Sequence, residues 1–323
     1  MSRQQETLNT GVIGTGSMGR HHARVYNELP ESNLMGIYDV DDEQAAQVAE
    51  ENGTEPLGLE ELLARVDAVS IAVPTIHHYE IAKQCIEQGV HVLVEKPFVD
   101  EQKQGEELID LAEENDVQIQ VGHIERFNPA VVALKDIIPD TDIISVKAER
   151  LGPPLDRTMK DSVVKDLMIH DIDILLWLID ESVSSVSALD SDEAYTTANF
   201  EFEDGSIGSL TASRVTQRKV RTLTITAHSC RIDVDYIDQS VEIYRHSLPE
   251  YIEENGDVRY RHESIVERPM VKNEEPLKSE LSSFIDSARS GETPEVSGRD
   301  GLRAVKYVNK IEEFANQGND ADE

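Results

Sequence analysis

The feature that most constrains the fold is a glycine-rich turn near the N-terminus. The letters GTGSMG, residues 14–19, follow an apolar strand pattern and begin an amphipathic helix pattern. Three glycines at this spacing allow a tight turn, close approach of the backbone to a pyrophosphate, and close packing of the helix on the strand. The N-terminus of the helix then faces the anion. The residues predicted to bind a dinucleotide here are Gly14, Gly16, Ser17, Met18 and Gly19.

One acidic residue indicates which dinucleotide the turn accepts. Asp39 ends the second strand pattern, twenty residues after Gly19, where a carboxylate can bind both ribose hydroxyls. The next three residues are Val40, Asp41 and Asp42, with no arginine among them. Because a 2′-phosphate would meet only negative charge there, we expect the cofactor to be NAD rather than NADP.

Strand and helix patterns alternate from residue 10 to about residue 122, which is typical of a parallel sheet built from βαβ units. After residue 140 a helix pattern over 162–179 is followed by successive strand patterns, which favour an antiparallel sheet. These strand patterns span 182–190, 194–202, 205–213, 220–228, 231–237 and 240–247, and helix patterns over 276–288 and 300–316 follow. We predict an α/β Rossmann domain over 1–122 and an α+β substrate-binding domain, with a large, mainly antiparallel sheet and C-terminal helices, over 123–323.

The charge of the chain excludes several partners. With 64 acidic and 30 basic residues, the formal net charge is −34, and such a surface repels nucleic acid and anionic membranes. The acids alternate with regular apolar positions, so we predict a folded protein whose acidic coat suits a high-salt cytoplasm. No signal peptide or membrane-spanning run is visible. Cys85 and Cys230 are isolated, so we expect no metal site.

The predicted helix 162–179 carries one polar stripe. At 100° per residue, five of its residues fall within a stripe about 80° wide, namely Ser162, Asp166, His170, Asp173 and Trp177. Most other positions are apolar, and burying carboxylates or an imidazole is costly unless they are paired or used. Asp166 and His170 could form a structural pair. With a cofactor site upstream, we favour His170 as a general base and Asp166 as its partner, because imidazole titrates near neutral pH.

Four segments carry a resemblance to a known family. They are VPTIHH (73–78), EKP (95–97), DLMIHDID (166–173) and SGRDG (297–301). In this order and spacing the chain resembles the Gfo/Idh/MocA oxidoreductases. The resemblance implies that Lys96 and His170 act on the same substrate hydroxyl, Lys96 as the group that orients it and relays its proton. It also implies cofactor contacts from Pro74, Thr75, His78, Glu95 and Lys96.

Four more segments narrow the resemblance to family members that act on nucleotide-activated amino sugars. They are GHIERFNPA (122–130), RLGPP (150–154), KVRTL (219–223) and DYIDQ (235–239). The resemblance implies oxidation of the 3-hydroxyl of UDP-N-acetylglucosamine to a 3-keto sugar, and a homodimer or homotetramer. Asp173 is also a candidate, with packing as its alternative role. The candidate substrate-binding residues are Arg126, Asn128, Arg150, Arg157 and Asp173.

Positive charge is concentrated in two short segments. Residues 147–165 and 214–231 each contain five basic residues, together ten of the 30 in the chain. Arginine forks match phosphate oxygens, so the clusters suit a sugar diphosphate-nucleotide. The alternative for the second cluster is a charged strand face or a subunit contact. Two other functions remain open: an inositol, glucose or xylose dehydrogenase of the same family, and a non-catalytic NAD-binding sensor.

Overall fold

The computed structural model, which describes residues 7–154, 161–191, 194–246, 250–254, 257–261 and 263–319, contains the expected parallel sheet. Its strands are β1 (Leu8–Ile13), β2 (Ser32–Tyr38), β3 (Ala68–Ile71), β4 (His91–Glu95) and β5 (Ile119–Gly122). They lie in the order β2-β1-β3-β4-β5, and every neighbouring pair is parallel. The order reverses at β1, and such sheets bind ligands outside the carboxyl ends of their strands at this point.

Helices cover both faces of this sheet. The α-helices of the described residues are α1 (Ser17–Glu28), α2 (Asp42–Glu51), α3 (Leu59–Leu63), α4 (His78–Glu87), α5 (Gln102–Glu114), α6 (Pro129–Val132), α7 (Ile169–Leu178), α8 (Pro276–Ser290) and α9 (Gly298–Asn319). Along β4, Val92 and Val94 belong to a core shared with α3, α4 and α5, while Leu93 belongs to a core shared with α1, α2 and α8. Because side chains alternate along a strand, the two cores lie on opposite faces.

The chain divides into two compact units, one up to Phe127 together with Glu274–Lys306, and the other of Asn128–Asn273 with Tyr307–Glu323. The sequence predicts a division at residue 122, with the C-terminal helices in the second domain. In the structure α8 lies in the first unit, because Leu281 and Phe284 are fully buried in a core with Tyr26 of α1.

The second unit contains a large sheet. The remaining strands are β6 (Ile143–Leu151), β7 (Val183–Ser191), β8 (Tyr195–Phe202), β9 (Ile207–Ser213), β10 (Val220–Ala227), β11 (Arg231–Asp235), β12 (Ser240–His246), β13 (Glu250–Glu254), β14 (Asp257–Arg261) and β15 (Ser264–Glu267). The sheet order is β15-β12-β11-β10-β6-β9-β8-β7, with β6 and β9 parallel and all other neighbours antiparallel. β13 and β14 pair as a separate hairpin. The mainly antiparallel sheet predicted from sequence is confirmed.

The predicted helix 162–179 is not uniform. Val164–Met168 forms a π-helical turn that leads directly into α7. Single π turns inside helices often occur at functional sites because they displace side chains from the regular α-helical positions. Short 3₁₀ turns occur at Thr75–His77, Ile124–Phe127, Ala133–Asp136 and Ile138–Asp140.

Candidate active site

The glycine turn at the end of β1 leaves room for a ligand against the backbone. Gly14 has φ +94°, a conformation that favours glycine. A Cβ on Gly19 would lie 1.9 Å from the carbonyl oxygen of Gly14, whereas one on Gly16 would meet nothing within 4 Å. Gly19 therefore serves the packing of helix on turn, and Gly16 leaves the outer side of the turn open. No side chain caps the N-terminus of α1, and its first turn has no acidic residue.

Asp39 lies beside this turn, at the end of β2. Its Oδ2 accepts hydrogen bonds from the Thr15 backbone (2.6 Å) and hydroxyl (2.7 Å), and its Oδ1 accepts one from the Asp41 backbone (2.9 Å). Burial acts to raise the pKa of Asp39, but these hydrogen bonds outweigh it and hold the pKa below its usual value. The open turn, the uncapped helix and the ionised carboxylate fit the pyrophosphate and ribose of NAD.

His78 connects two loops at the same edge of the sheet. Its ring is 1% exposed, with Nδ1 2.9 Å from the Pro97 carbonyl oxygen and Nε2 2.9 Å from that of Val73. Burial lowers the pKa of His78, although these carbonyls oppose the shift. The structure therefore gives His78 a bracing role between the segments that carry Pro74, Thr75 and Lys96. A cofactor contact from these residues stays a prediction.

Glu95 and Lys96 end β4. Glu95 is 8% exposed, and its Oε1 lies 3.0 Å from His22 Nε2 while its Oε2 accepts the Lys96 backbone N–H (3.2 Å). Burial favours a raised pKa of Glu95, but His22 and the charge of Lys96 outweigh it and lower the pKa. Glu95 is thus held inside the first unit, where it fixes the backbone of Lys96. The Lys96-Pro97 peptide is cis, and Lys96 is half-buried.

In the second unit, the π turn presents Asp166 to an arginine. Asp166 Oδ2 accepts a 2.8 Å hydrogen bond from Nη2 of Arg214, which follows β9. Asp166 and His170 are both half-buried, whereas most neighbours along α7 are buried. Both candidate catalytic residues therefore remain partly accessible on a helix whose other faces pack into the core. Sequence reasoning missed the contact with Arg214, whose signal is a single arginine immediately after a strand end.

Arg150 and Asp171 form a buried pair that joins β6 to α7. Arg150 Nε and Nη2 donate to the two carboxylate oxygens of Asp171, each at 2.8 Å. The guanidinium lies 5.4 Å from the ring centre of Tyr236, and both ion-pair partners are under 5% exposed. Asp171 lies among the apolar residues of the helix, and its pairing with Arg150 makes its burial possible. Arg150 has a structural role here, and its contact with substrate stays a prediction.

The other candidate substrate residues that the structure describes are also buried. Asn128 Oδ1 caps α6 through the Ala130 backbone (3.1 Å), and its Nδ2 donates to the Tyr236 carbonyl oxygen (3.1 Å). In the first unit, Arg126 Nη2 lies 4.0 Å from Asp300 Oδ1. Asp173 is 2% exposed. Arg157 lies outside the described residues, so its predicted role stays a prediction.

The basic clusters are mostly occupied by partners within the protein. Lys147 pairs with Glu149, Lys165 with Glu312, and Arg231 with Asp233, while Arg221 donates to the carbonyl oxygens of Leu151 and Val220. Among the described residues, the side chains of Arg218 and Lys219 are the members of the two clusters for which no acidic or hydrogen-bonding partner is found. Both are exposed in the loop between β9 and β10.

Two negative findings apply to the described part of the chain. No group of three or more His, Cys, Asp or Glu side chains is placed to hold a metal ion there. Within the same residues, no helix is both long enough and apolar enough to span a membrane.

Two family models match the sequence of this chain. Residues 8–123 match the Gfo/Idh/MocA family described as an oxidoreductase family with an NAD-binding Rossmann fold, and residues 150–233 match a Gfo/Idh/MocA C-terminal domain. The chain is 35% identical to UDP-N-acetylglucosamine 3-dehydrogenase of Acidithiobacillus ferrooxidans over 243 residues, 73% of this chain and 77% of that protein. It is 25% identical to inositol 2-dehydrogenase of Rhizobium meliloti, over 93% of this chain and 94% of that one.

Solved structures agree with this comparison. The A. ferrooxidans 3-dehydrogenase superimposes with a TM-score of 0.88 at 30% identity, covering 96% of this chain and 97% of that one. A levoglucosan dehydrogenase in complex with NADH and levoglucosan superimposes with a TM-score of 0.82 at 20% identity, covering 97% and 98%. At that identity the second similarity shows the fold alone.

Proposed function

The chain belongs to the Gfo/Idh/MocA family of NAD-binding oxidoreductases, and from this we propose that it oxidises a secondary hydroxyl of a nucleotide sugar. The proposed reaction converts the 3-hydroxyl of UDP-N-acetylglucosamine to a 3-keto group. The observation that carries the proposal is the half-buried Asp166 and His170 on one otherwise packed helix segment. The 35% identity to a UDP-N-acetylglucosamine 3-dehydrogenase supports the choice of substrate.

The catalytic residues have distinct roles in the proposed reaction. His170 accepts the proton of the substrate hydroxyl, a role that typically contributes about 100-fold to 10,000-fold in rate. Asp166, ion-paired with Arg214, orients the imidazole and stabilises its protonated form. Lys96, whose backbone is fixed by Glu95, orients the hydroxyl and relays its proton. NAD, when bound, supplies the hydride acceptor.

We assign the substrate phosphates to Arg218 and Lys219. Both are exposed, and ion pairs or backbone contacts occupy the other described cations of the two basic clusters. An arginine fork and a lysine charge suit the oxygens of a diphosphate. The net charge of the chain is −34, so most of its surface repels anions. Two cations on one loop therefore give an anionic substrate a favourable place to bind.

A second candidate is oxidation of a cyclic polyol. It is favoured by the match to inositol 2-dehydrogenase, which extends over 93% of this chain. A neutral polyol has no need of Arg218 and Lys219, so the charge of this loop favours the nucleotide sugar. In either case we propose a cytoplasmic homodimer or homotetramer adapted to high salt, because the acidic excess is best screened there.

Substitution of His170 distinguishes an enzyme from a non-catalytic NAD-binding sensor. We expect His170→Ala to lose on the order of 100-fold to 10,000-fold in kcat while binding NADH as tightly as the unsubstituted protein. His228→Ala, which removes an exposed histidine between β10 and β11, is the matched control and should retain turnover. If the unsubstituted protein binds NADH but turns over no sugar, the sensor is the better account.

A further inference from the structure

Arg214 contacts the beginning of the proposed catalytic helix at three points. Its Nη2 donates to Asp166 Oδ2 (2.8 Å) and to the Ser162 carbonyl oxygen (3.3 Å), and its Nη1 donates to the Asp161 carbonyl oxygen (2.7 Å). The arginine side chain is 13% exposed and that of Asp166 is 25% exposed. One guanidinium therefore ties the Asp166 carboxylate to the backbone that precedes the π turn.

A second group holds the same segment from α9. Glu312 accepts a hydrogen bond from the Ser162 hydroxyl (2.5 Å), and one of its oxygens lies 3.5 Å from Lys165 Nζ. The Ser162 hydroxyl in turn accepts the Lys165 backbone N–H (3.2 Å). Glu312 thus binds Ser162 and Lys165, whereas Arg214 binds the side chain of Asp166 itself. Between these contacts the backbone forms the wider π turn, in which side-chain directions differ from those of an α-helix.

Arg214 is not the side chain that would stabilise this segment most. Its Nε is buried and makes no hydrogen bond, and a buried donor left unmatched is costly. A neutral side chain could support the two carbonyl oxygens without that cost. The feature that suits a guanidinium is the contact with the Asp166 carboxylate, because charge-assisted hydrogen bonds to a guanidinium are strong and directional.

We propose that Arg214 is a positioning residue for catalysis. It fixes the Asp166 carboxylate, and through it the imidazole of His170, in the orientation needed to take a proton from the substrate. This role rests on the proposed function, since it assumes that Asp166 orients the imidazole of His170 and that His170 acts on the substrate. Arg214 does not itself contact the reacting atoms.

The kinetic test compares Arg214→Gln and Arg214→Lys with Arg231→Gln. Arg231 belongs to the same basic cluster and pairs with Asp233, so its variant removes an arginine–carboxylate pair elsewhere in the unit. We expect Arg214→Gln to lose on the order of 100-fold in kcat, as misplaced catalytic groups do, with the KM values for NAD and sugar nearly unchanged. Arg214→Lys should recover part of kcat, and added methylguanidine should recover part of it in Arg214→Ala.

A second measurement does not depend on the substrate. Hydrogen exchange of the amides in residues 161–170 should quicken in Arg214→Gln and stay unchanged in Arg231→Gln. If the unsubstituted protein turns over no sugar, the proposed function fails, and unaltered exchange in Arg214→Gln would then overturn the positioning role as well. If sugar is turned over, a rise in KM with kcat intact, or a loss of kcat no larger than that of Arg231→Gln, overturns the role of Arg214 alone.

Discussion

At the scale of single residues, most of the charge carried into the interior has a partner. Arg150 pairs with Asp171, and Glu95 with His22. Glu280 of α8 departs from this pattern, since it is fully buried and neither carboxyl oxygen makes a hydrogen bond. Burial, with a smaller contribution from the charge of Glu95, raises the pKa of Glu280 well above its usual value. The side chain is therefore held as a neutral acid inside the first unit.

This burial predicts a stability change that depends on pH. In the unfolded chain Glu280 loses its proton at the usual glutamate pKa of about 4.3. In the folded chain it keeps the proton to higher pH. The stability contributed by the neutral acid is thus complete below that pH and is lost as pH rises toward the folded pKa. We expect Glu280→Gln to gain more in Tm over the unsubstituted protein at pH 8 than at pH 5. Thermal unfolding at both pH values measures this.

The control for that experiment is Glu292→Gln, which changes an exposed glutamate of the same unit. It should alter Tm little at either pH. If the difference in Tm between Glu280→Gln and the unsubstituted protein were equal at pH 5 and pH 8, the raised pKa of Glu280 would be contradicted.

The position of Asp39 leads us to expect a preference for NAD over NADP. Its carboxylate is fixed by Thr15 and Asp41, in the place where ribose hydroxyls bind in such folds. We expect Asp39→Ala to weaken NADH binding by on the order of 10-fold to 100-fold, the loss of a hydrogen bond to a charged group, and to weaken NADPH binding less. Fluorescence titration with each nucleotide measures the ratio. Asp41→Ala removes the cap of α2 instead, and an NADH-to-NADPH ratio that changes equally in both variants would refute the assignment.

At the scale of elements, the contacts that join helices to the large sheet matter most. Arg150 on β6 and Asp171 on α7 are buried and form two 2.8 Å hydrogen bonds. Removing one partner of such a pair leaves an uncompensated charge and costs about 3–5 kcal/mol. We expect Arg150→Leu to lower the free energy of unfolding by that amount. The double variant with Asp171→Leu should be more stable than either single variant. Additive losses in denaturant titrations would contradict this account.

The two cations of the loop between β9 and β10 should contribute to affinity for the nucleotide sugar. Replacing both Arg218 and Lys219 with glutamine should raise KM for the nucleotide sugar about 10-fold, the loss of a modest charged contact, without changing KM for NAD. Lys147→Gln, which removes a lysine paired with Glu149, is the control. An unchanged KM in the double variant would assign the phosphates to other residues.

The elements also show where the sequence was informative. The alternating apolar patterns predicted the parallel sheet and most strands of the large sheet, because burial imposes those periods. Strand β6 was not predicted, because a charged residue, Arg150, occupies one of the inward positions of its alternating pattern. The π turn was not predicted, and neither was the pair of Asp166 with Arg214, since these residues are 48 positions apart. Glu280 could have been noticed, because it shares a helical face with Leu277, Leu281 and Phe284.

At the scale of the whole molecule, the acidic excess makes folding and the binding of an anionic substrate depend on salt. A net charge of −34 repels itself at low ionic strength, and molar salt shortens the screening length to about 3 Å. An anionic substrate also meets less repulsion under those conditions. If the protein is adapted to high salt as proposed, its activity should be higher in molar potassium chloride than at low salt.

The most direct test of the central claim is formation of NADH from NAD and UDP-N-acetylglucosamine in molar salt. A keto-trapping reagent or an aminotransferase should be present, so that an unfavourable equilibrium does not hide turnover. NADH absorbance should rise with UDP-N-acetylglucosamine, and His170→Ala should abolish the rise. Turnover of myo-inositol or free aldoses, with none of any nucleotide sugar, would contradict it.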